Sequence, residues 1–283
     1  MENLFENEQQ IENRLRKHRW LIPVVTLFAA ALLYAGMCWC LFGYRAGYHF
    51  VVIPAGILAH AFLIITVHDG AHKGITRGKF DYVIMNLGAA LMLIPFYGEP
   101  FRKYHLTHHA NTNTDVDPLW PGFKKEMYAE RRWLYILCEC VPLMFTLVLV
   151  LSGKKGKDGK AAVAVKQPSI RVPYMAASIM ISAVLIFFFR PPLGFVLGTL
   201  FVLNLMSVLR HWCEHMGTDT GKESNTFWFP LGMGIGNHEA HHQYPHFSWL
   251  TMMLGLFSRE RDTDPVKSLI GLFTDKRHVH YGE

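Results

Sequence analysis

The 283 residues are 51% hydrophobic, with a positive mean hydropathy of +0.16 and a formal net charge of +6. The apolar residues are gathered into long runs, which argues against a soluble enzyme with ordinary core helices. Anionic lipid headgroups account for the positive charge, and no motif supports nucleic-acid binding.

In chain order, the amino terminus MENLFENEQQIE is acidic and polar. It lacks the basic region and small-residue cleavage site of a signal peptide, so the first apolar run is expected to be retained. Arg14, Arg16, Lys17 and Arg19 precede that run, which covers 20–42. Further runs cover 50–67, 172–189 and 192–209. Each is close to the ~20 residues that cross a bilayer. Two other apolar stretches do not fit so simply. The stretch 86–96 is too short, and 134–151 carries Glu139 and Pro142. The Gly/Lys-rich segment 152–160 has the composition of a mobile loop. Five cysteines form two C-x-C pairs on apolar segments and no C-x-x-C, which predicts free buried thiols. There is no internal repeat, and the expectation is one domain over 1–283.

Eight of the sixteen histidines fall in three clusters: HDGAH (His68, His72), HLTHH (His105, His108, His109) and HEAHH (His238, His241, His242). Their spacings are i,i+4 once and i,i+3,i+4 twice, so on helices each cluster aims its rings one way. Imidazole is a common ligand for iron, zinc and copper. Eight exceed what one tetrahedral ion uses, which predicts two ions. Zinc usually takes four ligands, and copper more often recruits Cys or Met. Two irons, each with four or five nitrogens and an open position, fit the count best.

All three clusters must then meet on one side of the membrane. Neither 86–96 nor 134–151 can therefore make a full crossing. The loop between the second and third spans holds Lys154, Lys155, Lys157, Lys160, Lys166 and Arg171 against Asp158. Such an excess marks cytoplasmic loops. The predicted fold is an all-α integral membrane protein. Four transmembrane helices form two hairpins, with short outer turns at 43–49 and 190–191. A cytoplasmic histidine-rich cap holds a dinuclear metal site.

These boxes, in this order and with hairpins between them, resemble the membrane fatty acid desaturase superfamily. That superfamily includes desaturases, hydroxylases and carotenoid oxygenases. HHANTNTDVDP after the second box and HHQYPH at the third resemble the family's flanking patterns. The resemblance runs from the first span to about residue 250. It implies a non-haem diiron centre, O2 as co-substrate, and electrons from an external reductase with ferredoxin or cytochrome b5. It also implies a ninth ligand between the second and third boxes. In RHWCEHMG, the residues Arg210, Glu214 and His215 match an Arg-x3-Glu-His pattern, which favours His215 over His211.

Ligating imidazoles usually donate their other N–H to a carboxylate or carbonyl. Candidates beside the boxes are Asp69, Asn111, His211, Glu214, Asn237 and Glu239, with Asn113, Asp115 and Asp117 following the second box. A polar turn is the alternative for 111–117. His60 lies mid-span, where an ionisable residue is a functional suspect. His246, His278 and His280 read as surface residues, and His18 and His49 as interfacial.

The expected function is an O2-dependent lipid oxidoreductase, foremost a fatty acyl desaturase in lipid metabolism. A lipid or carotenoid hydroxylase or ketolase shares the same first step. FRKYHLTHHANTN also looks somewhat like carotenoid ring hydroxylases. A metal transporter would place ligands near mid-membrane rather than after span ends. A zinc hydrolase would not use eight histidines. Expected partners are the bilayer, a long-chain lipid substrate and a separate electron-transfer protein.

Overall fold

The computed structural model describes Asn13 and residues 19–114, 117–119, 122–142, 169–218, 223–229, 232–254, 261 and 263–274. The described residues form helices and no strands, with a single bridge between Thr226 and Asn237. Four helices are long and apolar enough to cross a membrane. They are α1 (Leu21–Arg45), α2 (His49–Ala71), α7 (Val172–Phe189) and α8 (Leu193–His215). The α7 helix matches its predicted apolar run, and the other three continue a few residues past theirs. The extension of α2 and α8 matters most, because it carries His68 and His215 on the same helices that cross.

The outward faces of α1 and α7 are hydrocarbon. Phe28, Leu32, Trp39 and Phe42 on α1 are exposed, as are Met180, Val184, Phe187 and Phe188 on α7. Continuous apolar exteriors of this kind suit lipid rather than water. The α2 helix is instead enclosed, with Ala59, Phe62, Leu63, Ile64, Ile65 and Val67 buried against α1 and α8. Close approach to α8 requires a glycine. A Cβ on Gly56 would run into Val202 and come within 2.9 Å of the Thr199 carbonyl.

Both hairpin turns lie at one end of the spans. Arg45 at the end of α1 donates to the carbonyls of Phe189 and Arg190 in the α7–α8 turn. Arg190 adopts a left-handed conformation, φ 41°, which closes α7 before Pro191 and Pro192. All three histidine boxes lie toward the opposite end.

Before reaching that end α2 changes pitch. Over Ile64–His68 it makes a π-helical turn, with the Asp69 N–H donating to the Ile64 carbonyl. Thr66 Oγ1 donates to the Phe62 carbonyl at 2.7 Å and supports the widened turn. Such turns often sit at functional sites. The helix stops after His72, where Lys73 takes φ 58° and Gly74 N–H returns to the Asp69 carbonyl.

The remaining helices build the cap: α3 (Phe80–Leu91), α4 (Gly98–Asn111), α5 (Gly122–Glu130), α6 (Arg132–Cys140), α9 (His238–Gln243), α10 (Trp249–Met253) and α11 (Pro265–Thr274). At twelve residues α3 is about 18 Å long, well short of a crossing. It docks on α7, where Ser178 and Ser182 donate to the carbonyls of Asn86 and Ala90, each at 3.0 Å. Buried Glu99 gathers Arg171, Arg102 and Asn86, and so ties α4 to the start of α7 and to α3. The α6 helix ends at Cys140, before Pro142; the rest of the 134–151 stretch and the lysine-rich loop lie outside the described residues. Tyr128 and Tyr135 pack α5 and α6 against Trp212 of α8 and Leu272 of α11. All five cysteines are free.

Candidate metal centre

The three boxes converge. On α4, His105 and His109 are one turn apart on one face, and His108 points beside them. On α9, His238 and His242 share a face, with His241 beside them. The two helices meet, and each divides its histidines between two groups.

In the first group, His68, His72, His105 and His241 bring ring nitrogens within 4.8 Å of one another. His109 joins them, its Nε2 lying 3.3 Å from His105 Nε2 and 3.1 Å from His241 Nε2. In the second group, His108, His215 and His242 form a similar cluster. His215 Nε2 lies 3.2 Å from His108 Nε2 and 3.1 Å from His238 Nε2, and His238 Nε2 lies 3.2 Å from His242 Nε2. The groups adjoin, with the rings of His109 and His242 stacked 4.2 Å apart. Nine histidines thus separate into five and four.

His211 stands apart from both. Its ring packs 5.4 Å from that of His215, and with Glu214 and His215 it could form a further three-residue cluster. His60 is buried, edge-on to Phe229, with neither ring nitrogen hydrogen-bonded among the described residues. His49 is exposed and leans on Tyr44, and His246 packs on Phe247. His18, His278 and His280 lie outside the described residues.

Behind the ligands stand oxygen acceptors. Asp69 Oδ1 lies 3.1 Å from His68 Nδ1, while its Oδ2 accepts from Trp249 N–H at 2.6 Å. Asp117 meets His108 Nδ1 at 2.9 Å and is itself held by the N–H groups of Asn113 and Leu119. Glu214 lies 3.2 Å from His238 Nδ1. The Glu223 carboxylate lies 3.3 Å from His242 Nδ1, and its backbone carbonyl 3.2 Å from His215 Nδ1. Thr112 Oγ1 also reaches His242 Nδ1, at 3.2 Å. Of the other candidates, Asn111 donates to the Thr107 carbonyl and Asn237 to the Met252 carbonyl, so neither amide faces a ligand. Glu239 occupies the first turn of α9, and Asp115 lies outside the described residues. Sequence reasoning did not find Glu223 or Thr112. Glu223 sits in a polar stretch, GKESN, with nothing to distinguish it from a solvated loop.

Burial opposes the charged form of five of the imidazoles. Burial, then the neighbouring imidazoles, lowers His72 to about 3 and holds His105, His109, His238 and His241 well below the ordinary value. Neutral imidazole is the form that binds metal.

The family model for fatty acid desaturases matches residues 46–253, nearly three quarters of the chain. The chain belongs to the fatty acid desaturase family. Comparison with curated proteins and with solved structures gave no match. The four apolar helices and the family fit an integral membrane protein.

The donor set of this desaturase-family chain fits two first-row metal ions. Ligand atoms about 2.1 Å from an ion lie about 3 Å apart when neighbouring bonds are at right angles. The 3.1–3.3 Å separations between Nε2 atoms match that spacing. His68 Nε2 and His72 Nε2 are also buried without any hydrogen-bond partner among the described residues. Unpaired buried nitrogens are costly unless something binds them. The carboxyl groups of Asp69, Asp117, Glu214 and Glu223 stand behind the imidazoles, where the outer partners of metal-ligating rings are found.

A cavity of about 430 Å³ adjoins the centre. His105, His108, His215 and His238 line it, facing Lys124, Glu139 and Arg210. A second, smaller cavity of about 130 Å³ lies among the spans, walled by residues such as Met37, Leu91, Phe195 and Leu200.

Proposed function

We propose that the chain is a membrane-bound non-haem diiron oxidoreductase that consumes O2 and removes hydrogen from a long-chain lipid, acting as a desaturase on a fatty acyl group. The observation that carries this reading is the convergence of nine imidazoles, five and four, at the ends of lipid-facing spans in a desaturase-family chain. Two irons held there would supply the oxidising power that no side chain has toward an unactivated C–H bond.

The residues of the chain supply binding and orientation. His68, His72, His105, His109 and His241 would hold one iron, and His108, His215, His238 and His242 the other. Asp69, Asp117 and the Glu223 backbone fix ring orientation and tautomer from behind, and Glu214 lies beside His238. The cavity beside His105, His108, His215 and His238 would hold the reacting carbon close to the centre. The lysine-rich loop and the paired hairpin turns support a centre on the cytoplasmic side. Electrons would come from an external reductase with ferredoxin or cytochrome b5, and 1–283 would act as a single domain. A hydroxylase of the same superfamily is the second reading. The polarity of the cavity favours it, because Lys124, Glu139 and Arg210 can accommodate an oxygenated product.

Lipid and pigment profiling of cells expressing the chain, against cells expressing His108→Ala, tests the proposal. A new double bond that requires O2 and is absent from the variant is the expected result. A hydroxylated lipid or an oxidised carotenoid ring as sole product overturns the desaturase assignment and leaves the diiron centre standing. No O2-dependent product, with iron bound and reductant supplied, overturns the oxidase reading.

A further inference from the structure

Two cavities open along one side of α8. Val196, Thr199 and Leu200 line the one among the spans, and Ser207, Arg210 and His211 line the one at the metal centre. Residues 200 and 207 are separated by about 10 Å of helix rise. Their walls differ in kind. The span cavity is nearly all hydrocarbon, whereas the cavity at the centre holds a Lys124–Glu139 ion pair at 2.6 Å together with Arg210 and Glu214.

Arg210 is not used up by its neighbour. Its Nη1 lies 3.3 Å from Glu214 Oε1. Yet neither Nη1 nor Nε makes a hydrogen bond among the described residues, and Glu214 Oε1 makes none either. A guanidinium carries five N–H donors and never gives up its charge in a protein. A methylene chain laid against it would cover those donors and offer them no acceptor. A carboxylate or carbonyl oxygen would satisfy them.

We propose that this cavity receives the polar end of the lipid. Arg210 donates to a carboxylate or carbonyl oxygen, the carbon to be oxidised lies a few bonds from that oxygen, and the tail runs along α8 toward the span cavity. Arg210 and the ligand His215 are five residues apart on one helix, about 7.5 Å of rise, so the anchored oxygen and the metal centre are close. The inference rests on the proposed lipid oxidation for the identity of the ligand, but its binding test does not.

The test uses iron-loaded full-length protein in detergent, titrated calorimetrically with octanoate, octanamide and heptane. Octanoate and octanamide separate a carboxylate from a carbonyl ligand, and heptane reports apolar binding alone. Arg210→Gln is expected to weaken the oxygen-bearing probe by about 10- to 100-fold, leave heptane binding unchanged and retain iron. Equal binding of all probes by wild type and variant, or equal loss of heptane, overturns the proposal. Should Arg210→Gln lose iron, the wild-type protein still decides. A fatty acid bearing a photoreactive diazirine beside its carboxyl group is expected to cross-link to Tyr104, Leu119 or Ser207. Cross-links confined to Leu41 or Leu185 in the span cavity overturn it. If turnover is found, oxidation far from the polar end sinks this inference and spares the oxidase reading. Polar-end binding without any oxidation does the reverse.

Discussion

The two histidine groups are built on one plan and differ at one helix. The α4 helix gives His105 and His109 to the first group and His108 to the second. The α9 helix reverses the ratio, giving His241 to the first and both His238 and His242 to the second. The remaining ligands come from spans. The α2 helix contributes His68 and His72, four residues apart, whereas α8 contributes His215. The counterpart four residues before His215 is His211, which lines the cavity instead. One group is thus richer in nitrogens. In the other, an oxygen lies within 3.3 Å of the outer nitrogen of every ring, although His238 Nδ1 makes no hydrogen bond among the described residues. In the five-histidine group, His109 Nδ1 is likewise without a hydrogen-bond partner among the described residues. The four-histidine group also contributes His108, His215 and His238 to the cavity wall, beside His105 and His211. A metal ion held by the four-histidine group would have fewer ligands and so room for a further one on the side of the cavity.

The largest effects should come from removing a ligand of either group. Replacing His241 or His242 with alanine is expected to abolish turnover, a loss of more than ~10³-fold for chemistry that side chains cannot perform. Iron should fall from two per chain toward one, as measured by metal analysis. Mössbauer spectra of the two variants should retain different irons. Loss of both irons in both variants would show that the groups do not act as separate sites.

Next in size is the support behind a ring. Asp117→Asn keeps the shape but gives up the negative charge that orients His108. A loss of about 10- to 100-fold in iron affinity is expected, read by chelator competition. An unchanged affinity would mean that the backbone N–H groups of Asn113 and Leu119, not His108, are what Asp117 serves.

The comparison also bears on what the sequence makes legible. Spans are readable because about twenty apolar residues have few other uses, and the boxes because helical spacing forces three rings onto one side. What cannot be read is the division of each box between two groups, since that depends on how α4 and α9 cross. The π-helical turn before His68 is equally hidden. IITVH is an unremarkable apolar stretch, and the turn reflects Thr66 bonding back to Phe62 and packing against Gly88. Among 111–117 the polar residues look alike. Asp117 reaches His108 because Asn113, at φ 62°, turns the chain back toward α4. Glu223 lies far from any box in sequence and is brought to His215 and His242 by the segment after α8.

Acid should weaken both groups in a predictable sense. The folded chain holds His72 at about 3, against an ordinary 6.5, because burial and nearby imidazoles oppose the proton. The unfolded chain takes up that proton as pH falls through about 6.5, so it binds more protons than the fold below that point. Stability of the metal-free protein is therefore full above pH of about 6.5 and falls as pH drops toward about 3. His105, His109, His238 and His241 shift in the same direction and steepen the slope. Thermal unfolding in detergent measures it. A midpoint that stays flat from pH of about 7 to about 4.5 would contradict the neutral, crowded cluster.

The smallest effect, and the sharpest test of the five-and-four division, belongs to His211. By spacing alone it mirrors His68, since each lies four residues before another ligand on a span. The two differ in what their nitrogens face. His68 Nε2 is buried among the imidazoles of His72, His105 and His241, with Asp69 behind its other nitrogen. His211 meets the ring of His215 and the cavity, and no described carboxylate hydrogen-bonds it. His211→Ala should therefore keep both irons, with affinity changed by less than about threefold, below the ~10-fold cost of losing even outer support. His68→Ala should lose one. If His211→Ala also drops to one iron, then α8 supplies a pair of ligands as α2 does, both groups hold five nitrogens, and the open position facing the cavity has to be found elsewhere.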